Sequence, residues 1–353
     1  MDARAPARTD AATPLLEVND LKVHFPVTRG ALLRRTVGQI KAVDGVSFSI
    51  AKGEVLGLVG ESGCGKTTVA RAILKLAKPT AGAIRFDGVD IWSLDKADEL
   101  RFRRRVQAIF QDPYSSLNPR MSVREIVSEP FVIHESGLGR VEIDRRARKL
   151  LEMCGLPGRI AERYPHEMSG GQRQRVGIAR ALALHPDFIV CDEAVSALDV
   201  SIQAQIINLL QDLKDELGLT YLFIGHDLSV VKHLCDRVAV MYLGRIAESG
   251  ASEALFAQPL HPYTVALMEA IPVPDPKIEA ERAHRVLSGE IPSPLNPPSG
   301  CVFHPRCPIA VARCGRAKPV LAETRREHWV ACGEVESNPT VPMARAEGTP
   351  AHI

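Results

Sequence analysis

Two segments of this 353-residue chain place glycines at the start of a helix, where backbone amides can hold an anion. The first is GESGCGKTT at 60–68, and Gly60 to Thr67 fits G-x-x-x-x-G-K-[ST]. It follows the apolar run EVLGLVG and opens GKTTVARAILKL, the strand–loop–helix setting that this spacing requires. Gly60, Gly63 and Gly65 let N–H groups turn inward around phosphate oxygens, with Glu61, Ser62, Cys64 and Thr68 completing the loop. The helix N-terminus adds partial positive charge. Lys66 is placed to reach the β- and γ-phosphates of a nucleotide, and Thr67 to ligate Mg²⁺. A helix N-terminus also lowers thiol pKa, so Cys64 is either a reactive thiol or the occupant of a tolerant position.

Acids stand where such a site needs them. FIVCDE puts Asp192 and Glu193 at the carboxyl end of a buried strand, the edge at which open α/β sheets bind ligands. Asp192 suits Mg²⁺, commonly through water, and Glu193 suits a general base that polarises the attacking water. His226, just past the next strand, is positioned for the γ-phosphate. Gln111, after a short apolar strand in AIFQDPYSSLNP, can reach the metal or the water and link the nucleotide to a helical insert. Phe25 is either an adenine-stacking ring or a core aromatic. The second amide-bearing helix start is MSGGQRQRVGIARAL at 168–182, where Ser169, Gly170, Gly171 and Gln172 lie some 20 residues before Asp192.

The elements that must position these groups read as alternating strands and helices. LLEVNDLKVHF and AVDGVSFSI alternate as strands, and DFIVCDE and LTYLFIGHD are buried strands, each followed by a helix. RVAVMYLGRIAESG reads as a hairpin. The pattern predicts an α/β fold with a mostly parallel core sheet, an antiparallel β subdomain and an inserted helical subdomain at about 112–180. Residues 1–14 read as a disordered leader and 15–270 as the main domain. Residues 271–335 read as a small extension behind the proline-rich linkers IPVPDPK and EIPSPLNPPSG, and 336–353 as a disordered tail.

Composition excludes some classes. A net charge of +2 gives no general case for nucleic-acid binding, and RFRRR (101–105) and RRARK (145–149) read as solvated helix faces. No stretch approaches a membrane span of roughly 20 apolar residues. The N-terminus lacks an apolar signal core, so a cytoplasmic chain is expected, with any membrane part supplied by other chains.

The order P-loop, Gln111, SGGQ, Asp192-Glu193, SALD, His226 resembles the ATP-binding subunits of ABC transporters over residues 15 to about 270. The resemblance implies a P-loop NTPase of ABC type that hydrolyses ATP with Mg²⁺ held by Thr67, Gln111 and Asp192. It also implies a head-to-tail pair in which Ser169, Gly170, Gly171 and Gln172 close on the ATP held by a second ATP-binding subunit, a paralogue by family habit. Asp199, in SALD, would lie at that junction. Met168 stands where Leu is usual and Ala194 where Pro is commoner. LFAQPLHPYTVAL (255–267) and LSGEIPSPLNPPSGCVFHPRC (287–307) further resemble the dipeptide/oligopeptide permease group, and more distantly the nickel importers; on residues alone they are a helix with a prolyl turn and a linker. That group implies two transmembrane permease subunits, an extracytoplasmic substrate-binding protein, and work at the cytoplasmic face of the cell membrane. Nickel or another small solute is the alternative cargo. A soluble ABC ATPase acting on ribosomes or DNA is a further reading, but such proteins usually carry two cassettes or long coiled coils. A non-catalytic nucleotide-binding regulator is opposed by the intact Lys66, Asp192, Glu193 and His226.

Cys301, Cys307, Cys314 and Cys332 crowd the last sixth of the chain. In a reducing compartment such a cluster suggests metal rather than disulfides. Their C-x5-C-x6-C-x17-C spacing matches neither the short ferredoxin run nor the paired C-x2–4-C of most zinc sites. Four converging thiolates suit [4Fe–4S] or Zn²⁺, and the resemblance to the permease group favours the [4Fe–4S] cluster.

Overall fold

The first strand, β1 (Leu16–Arg29), pairs antiparallel with β2 (Arg35–Ile50). Leu16 and Val18 face inward, and so do Leu21 and Val23, because an irregularity after Val18 shifts the register and restores the apolar face. The computed structural model describes residues 13–29, 35–112, 116–135, 137–270 and 289–335. Most of the expected leader, the IPVPDPK linker and the expected tail at 336–353 lie outside the described residues.

The next strand, β3 (Val55–Val59), is buried along its whole length, and the phosphate loop joins it to α1 (Lys66–Ile73). The pair β4 (Ala81–Phe86) and β5 (Val89–Asp90) completes a four-stranded antiparallel sheet in the order β2-β1-β4-β5. Helix α2 (Lys96–Arg105), capped by Asp95, runs into β6 (Val106–Ile109). The insert comes next as α3 (Val123–His134), α4 (Arg140–Met153) and α5 (Gly170–Leu182). Ser122 and Glu125 form a capping box at the head of α3, and Val127, Phe131, Leu151 and Val176 knit the three helices into one core.

The chain then alternates through β7 (Phe188–Asp192), α6 (Val200–Leu217), β8 (Thr220–Ile224), α7 (Leu228–Leu234), β9 (Arg237–Tyr242) and β10 (Arg245–Ala251). Where one helix with a prolyl turn was expected, Gln258 to His261 separates two: α8 (Ser252–Ala257) and α9 (Pro262–Glu269). Pro262 has no N–H to continue a helix but suits its first turn, with His261 as the cap. The last strands are β11 (Ala322–Arg325) and β12 (His328–Val330).

The large sheet runs β11-β12-β10-β9-β3-β8-β7-β6, parallel from β9 to β6 and antiparallel at the other edge. Strand period two sorts the core. Leu56, Leu58, Phe188, Val190, Leu222 and Ile224 face α1 and the antiparallel sheet. Val55, Val59, Ile189, Cys191, Tyr221 and Phe223 face the opposite layer, which includes the helical insert. The C-terminal extension is part of this sheet: β12 pairs with β10, placing Val330 opposite Glu248 and His328 opposite Gly250. The arginine-rich runs are only partly solvated faces. Arg104 reaches Glu135 at 3.0 Å, Arg105 reaches Asp187 at 2.5 Å, and Arg148 reaches Asp144 at 3.0 Å.

Candidate nucleotide site

The phosphate loop needs its glycines for two reasons. Gly60, Gly63 and Gly65 all have positive φ, which side chains other than glycine's rarely tolerate. At Gly60 a Cβ would also collide with the Met241 carbonyl oxygen, and at Gly65 with that of Ala42. Lys66 is buried. Its ammonium donates to the Gly60 carbonyl at 2.7 Å and the Glu61 carbonyl at 3.1 Å, so backbone oxygens hold it where a phosphate would take over. Cys64 is buried and burial pushes its thiol up, opposed by Lys66; the reactive-thiol reading therefore fails. Ser62 and Gly63 are exposed, while Thr67 and Thr68 are half-buried at the start of α1.

The expected metal and catalytic groups come together at the carboxyl ends of β7 and β8. The Thr67 hydroxyl donates to Asp192 Oδ1 at 3.3 Å. Burial pushes the Asp192 carboxyl up, with the Thr67 hydrogen bond opposing, so a cation beside it relieves a desolvated charge. The Gln111 amide Nε2 donates to Glu193 Oε2 at 2.6 Å, across 82 residues of sequence, and His226 Nδ1 lies 3.9 Å from the same oxygen. With Nε2 committed to Glu193, the Gln111 amide oxygen is the atom left for metal or water. Thr67, Asp192 and Gln111 thus offer the hard oxygen donors that Mg²⁺ prefers. Phe25, near the end of β1, is 43% exposed, so its ring is open for stacking rather than part of the core.

The second helix start forms a separate patch. Ser169 caps α5 in a capping box with Gln172: the Gln172 N–H donates to Ser169 Oγ at 3.3 Å and the Ser169 N–H to Gln172 Oε1 at 3.1 Å. Gly170 lies against Leu198 and Gly171 against Ile202, which ties this turn to the SALD segment. Asp199 caps α6, accepting from the Ile202 N–H at 3.0 Å and the Ser201 hydroxyl at 2.8 Å, and these bonds hold its carboxyl below the usual range. Ser169 is exposed.

Sequence reasoning missed two groups that grip the phosphate loop. The Tyr263 hydroxyl accepts the Glu61 N–H at 2.8 Å, and Arg306 pairs with the Glu61 carboxylate. They lie 202 and 245 residues away, and no local pattern marks them.

The four C-terminal cysteines are half-buried thiols with no disulfide. The Glu334 backbone N–H points at Cys332 Sγ at 3.4 Å, while the His304 N–H donates to the Cys301 carbonyl at 3.1 Å. Burial pushes the Cys307 thiol up to about 11, and the Cys301 N–H donates to the Cys314 carbonyl at 2.8 Å, which brings those two turns together. Among the described residues no three His, Cys, Asp or Glu side chains converge closely enough for a single metal ion.

Residues 43–196 match the ABC transporter family, and residues 247–314 match the oligopeptide/dipeptide transporter C-terminal region. The chain is 30% identical to an ATP-binding cassette, MJ0796, solved as a dimer in a post-hydrolysis state with ADP and Pi, with TM-score 0.59 over 67% of this chain and 98% of that one. It is likewise 30% identical to cbiO1 from Clostridium perfringens, with TM-score 0.59 over 69% and 91%. The fold and site thus define an ABC-type ATPase. The oligopeptide transport ATP-binding protein OppF of Salmonella typhimurium is 52% identical over 91% of this chain and 96% of its own length. The putative oligopeptide transport ATP-binding protein YkfD of Bacillus subtilis is 53% identical over 90% and 95%. A putative peptide import ATP-binding protein of Brucella ovis is 57% identical over 91% and 98%. The chain belongs to the ABC transporter ATP-binding subunits, in the branch that carries the oligopeptide/dipeptide C-terminal region.

Proposed function

We propose that this ATPase powers import of di- or oligopeptides through two separate transmembrane subunits, fed by an extracytoplasmic substrate-binding protein. It would work at the cytoplasmic face of the membrane. No described helix is long and apolar enough to cross a membrane, which fits a peripheral subunit. The hydrolysis part is carried by the Gln111–Glu193–His226 group beside the Thr67–Asp192 pair, and the peptide cargo is supported by the match of residues 247–314 to the oligopeptide/dipeptide transporter C-terminal region.

In this reading residues 60–68 cradle the phosphates and Phe25 stacks on adenine. Thr67, Asp192 and Gln111 would hold Mg²⁺, which would supply neutralisation of the phosphate charge. Glu193 accepts a proton from the attacking water, and His226 contacts the γ-phosphate. Gln111 ties Glu193 to the helical insert, so a movement of the insert shifts the base. The Ser169–Gln172 turn, exposed at Ser169, serves the ATP of a second cassette paired head to tail, with Asp199 at the junction. The γ-phosphate collects donors from both chains and favours the closed pair, and hydrolysis removes that preference.

The four cysteines would hold a [4Fe–4S] cluster of structural or regulatory use, since ATP hydrolysis needs no redox step. The support is the resemblance of this region to the permease group together with four half-buried free thiols in one extension, with zinc as the alternative occupant. One anaerobic purification from solubilised membranes tests both parts. The chain should arrive with two membrane subunits and a paralogous cassette, be brown, and contain iron and acid-labile sulfide. Co-purification with ribosomes or DNA would overturn the importer reading; colourless, zinc-loaded protein would end the cluster.

A further inference from the structure

The C-terminal extension reaches the phosphate loop. Arg306 ends a 3₁₀ turn at His304–Arg306 and immediately precedes Cys307. Its guanidinium takes both carboxylate oxygens of Glu61, with Nη1 donating to Oε2 at 2.8 Å and Nη2 to Oε1 at 3.1 Å. Nη1 also donates to the Tyr242 hydroxyl at 3.4 Å. The Arg306 side chain is only 6% exposed. Tyr242, Tyr263 and Phe303 pack together beside it, with ring centroids 4.7 to 5.5 Å apart. Glu61 is therefore gripped twice, at its N–H by Tyr263 and at its carboxylate by Arg306.

Glu61 is the only acid in residues 60–68, a loop that has to accept several phosphate charges. An unpaired carboxylate there would repel the triphosphate across a partly buried, weakly screened distance. Its charge already acts within the loop, because it adds to the upward push that burial exerts on the Cys64 thiol. A planar, bidentate guanidinium cancels such a charge and fixes its position together, which a point-charge ammonium does less well.

We propose that Arg306 is a positioning residue for nucleotide binding: by neutralising and anchoring Glu61, it makes the affinity of the phosphate loop for a nucleoside triphosphate depend on docking of the cysteine-bearing extension. The proposal rests on residues 60–68 being the phosphate cradle. The test uses full-length protein, a fluorescent ATP analogue with Mg²⁺, and steady-state KM and kcat. Arg306→Ala should weaken binding about tenfold, the order of one unit-charge interaction in a half-buried site, with KM rising alike and kcat changed by less than about twofold. Arg306→Lys should fall between Arg306→Ala and the parent. Adding Glu61→Gln to Arg306→Ala should recover most of the lost affinity, because the released charge is gone; a simple folding defect would not be rescued this way. Wild-type affinity in Arg306→Ala, or a double variant as weak as the single, overturns the proposal. Failure of the unmodified protein to bind the analogue overturns the cradle reading and this proposal with it.

Discussion

Glu193 sits at φ 49°, a left-handed backbone that costs a non-glycine residue on the order of 1 kcal/mol or more. Four hydrogen bonds hold it there: its N–H donates to the Ile224 carbonyl at 2.9 Å, its own carbonyl accepts from Ser196 Oγ at 3.0 Å and the Ser196 N–H at 3.1 Å, and its carboxylate accepts from Gln111. A structural acid could be replaced by its amide at little cost to turnover, whereas a general base could not. Glu193→Gln keeps the size and one acceptor but loses proton affinity. Nucleotide binding should stay within a few-fold, and hydrolysis should slow by ~10²–10⁴, the usual worth of a general base. Bound ATP should then outlive closure and accumulate the paired cassettes, visible as a shift in sedimentation. Phosphate release at the parent rate would remove Glu193 from its role. Asp192, Glu193 and His226 could be picked out as candidates from sequence because they stand at or just past the ends of the buried strands β7 and β8. The Gln111–Glu193 bond was not, because only the parallel register of β6 on β7 brings residues 82 apart together.

The start of α5 carries two roles that a single alanine substitution would confuse. Ser169 caps the helix, and loss of that cap costs about 1 kcal/mol whatever else the residue does. Asp is an equally good cap and suits the positive end of the helix, so Ser169→Asp should melt near the parent temperature while Ser169→Ala melts lower. If this turn faces the γ-phosphate of ATP held by a second cassette, the new carboxylate repels it. ATPase activity in Ser169→Asp should then fall by at least ~10², with unaided nucleotide binding retained. Normal turnover in Ser169→Asp would reduce the segment to a helix cap. That a helix starts here was readable from Ser-Gly-Gly, whereas the capping box between Ser169 and Gln172 came from the structure. Its packing on Leu198 and Ile202, which joins it to the SALD turn, needed the fold.

At the scale of the whole molecule the extension is tied to the cassette by contacts that no run of sequence announces. The segment at 322–330, AETRREHWV, looks like a polar loop, and β11 is exposed throughout; β12 becomes a strand only because β10 offers an edge. Beneath that edge Glu248 is fully buried. It accepts the Leu260 N–H at 2.7 Å and the His261 N–H at 2.8 Å, and lies 2.7 Å from His328 Nε2, so one carboxylate joins β10, α9 and β12. Beside it His261 caps α9 through Nδ1, which accepts the Tyr263 N–H at 3.1 Å, and its ring centroid lies 5.6 Å from that of Phe303. Burial pushes His261 down to about 4, with Glu248 opposing, from an ordinary 6.5. Between those values the unfolded chain takes up a proton that the folded chain refuses. The stability is therefore fully present above pH 6.5 and is lost as pH falls toward 4, by on the order of 3 kcal/mol. His261→Asn retains a capping acceptor but has no proton to gain. It should start less stable, for want of the ring against Phe303, yet lose less on acidification. The measurement is the urea midpoint from pH 7 to pH 4.5 for both proteins, read as a difference so that carboxylates common to both cancel. Parallel curves would mean that His261 takes up its proton without unfolding and that the joint between extension and cassette is open to water.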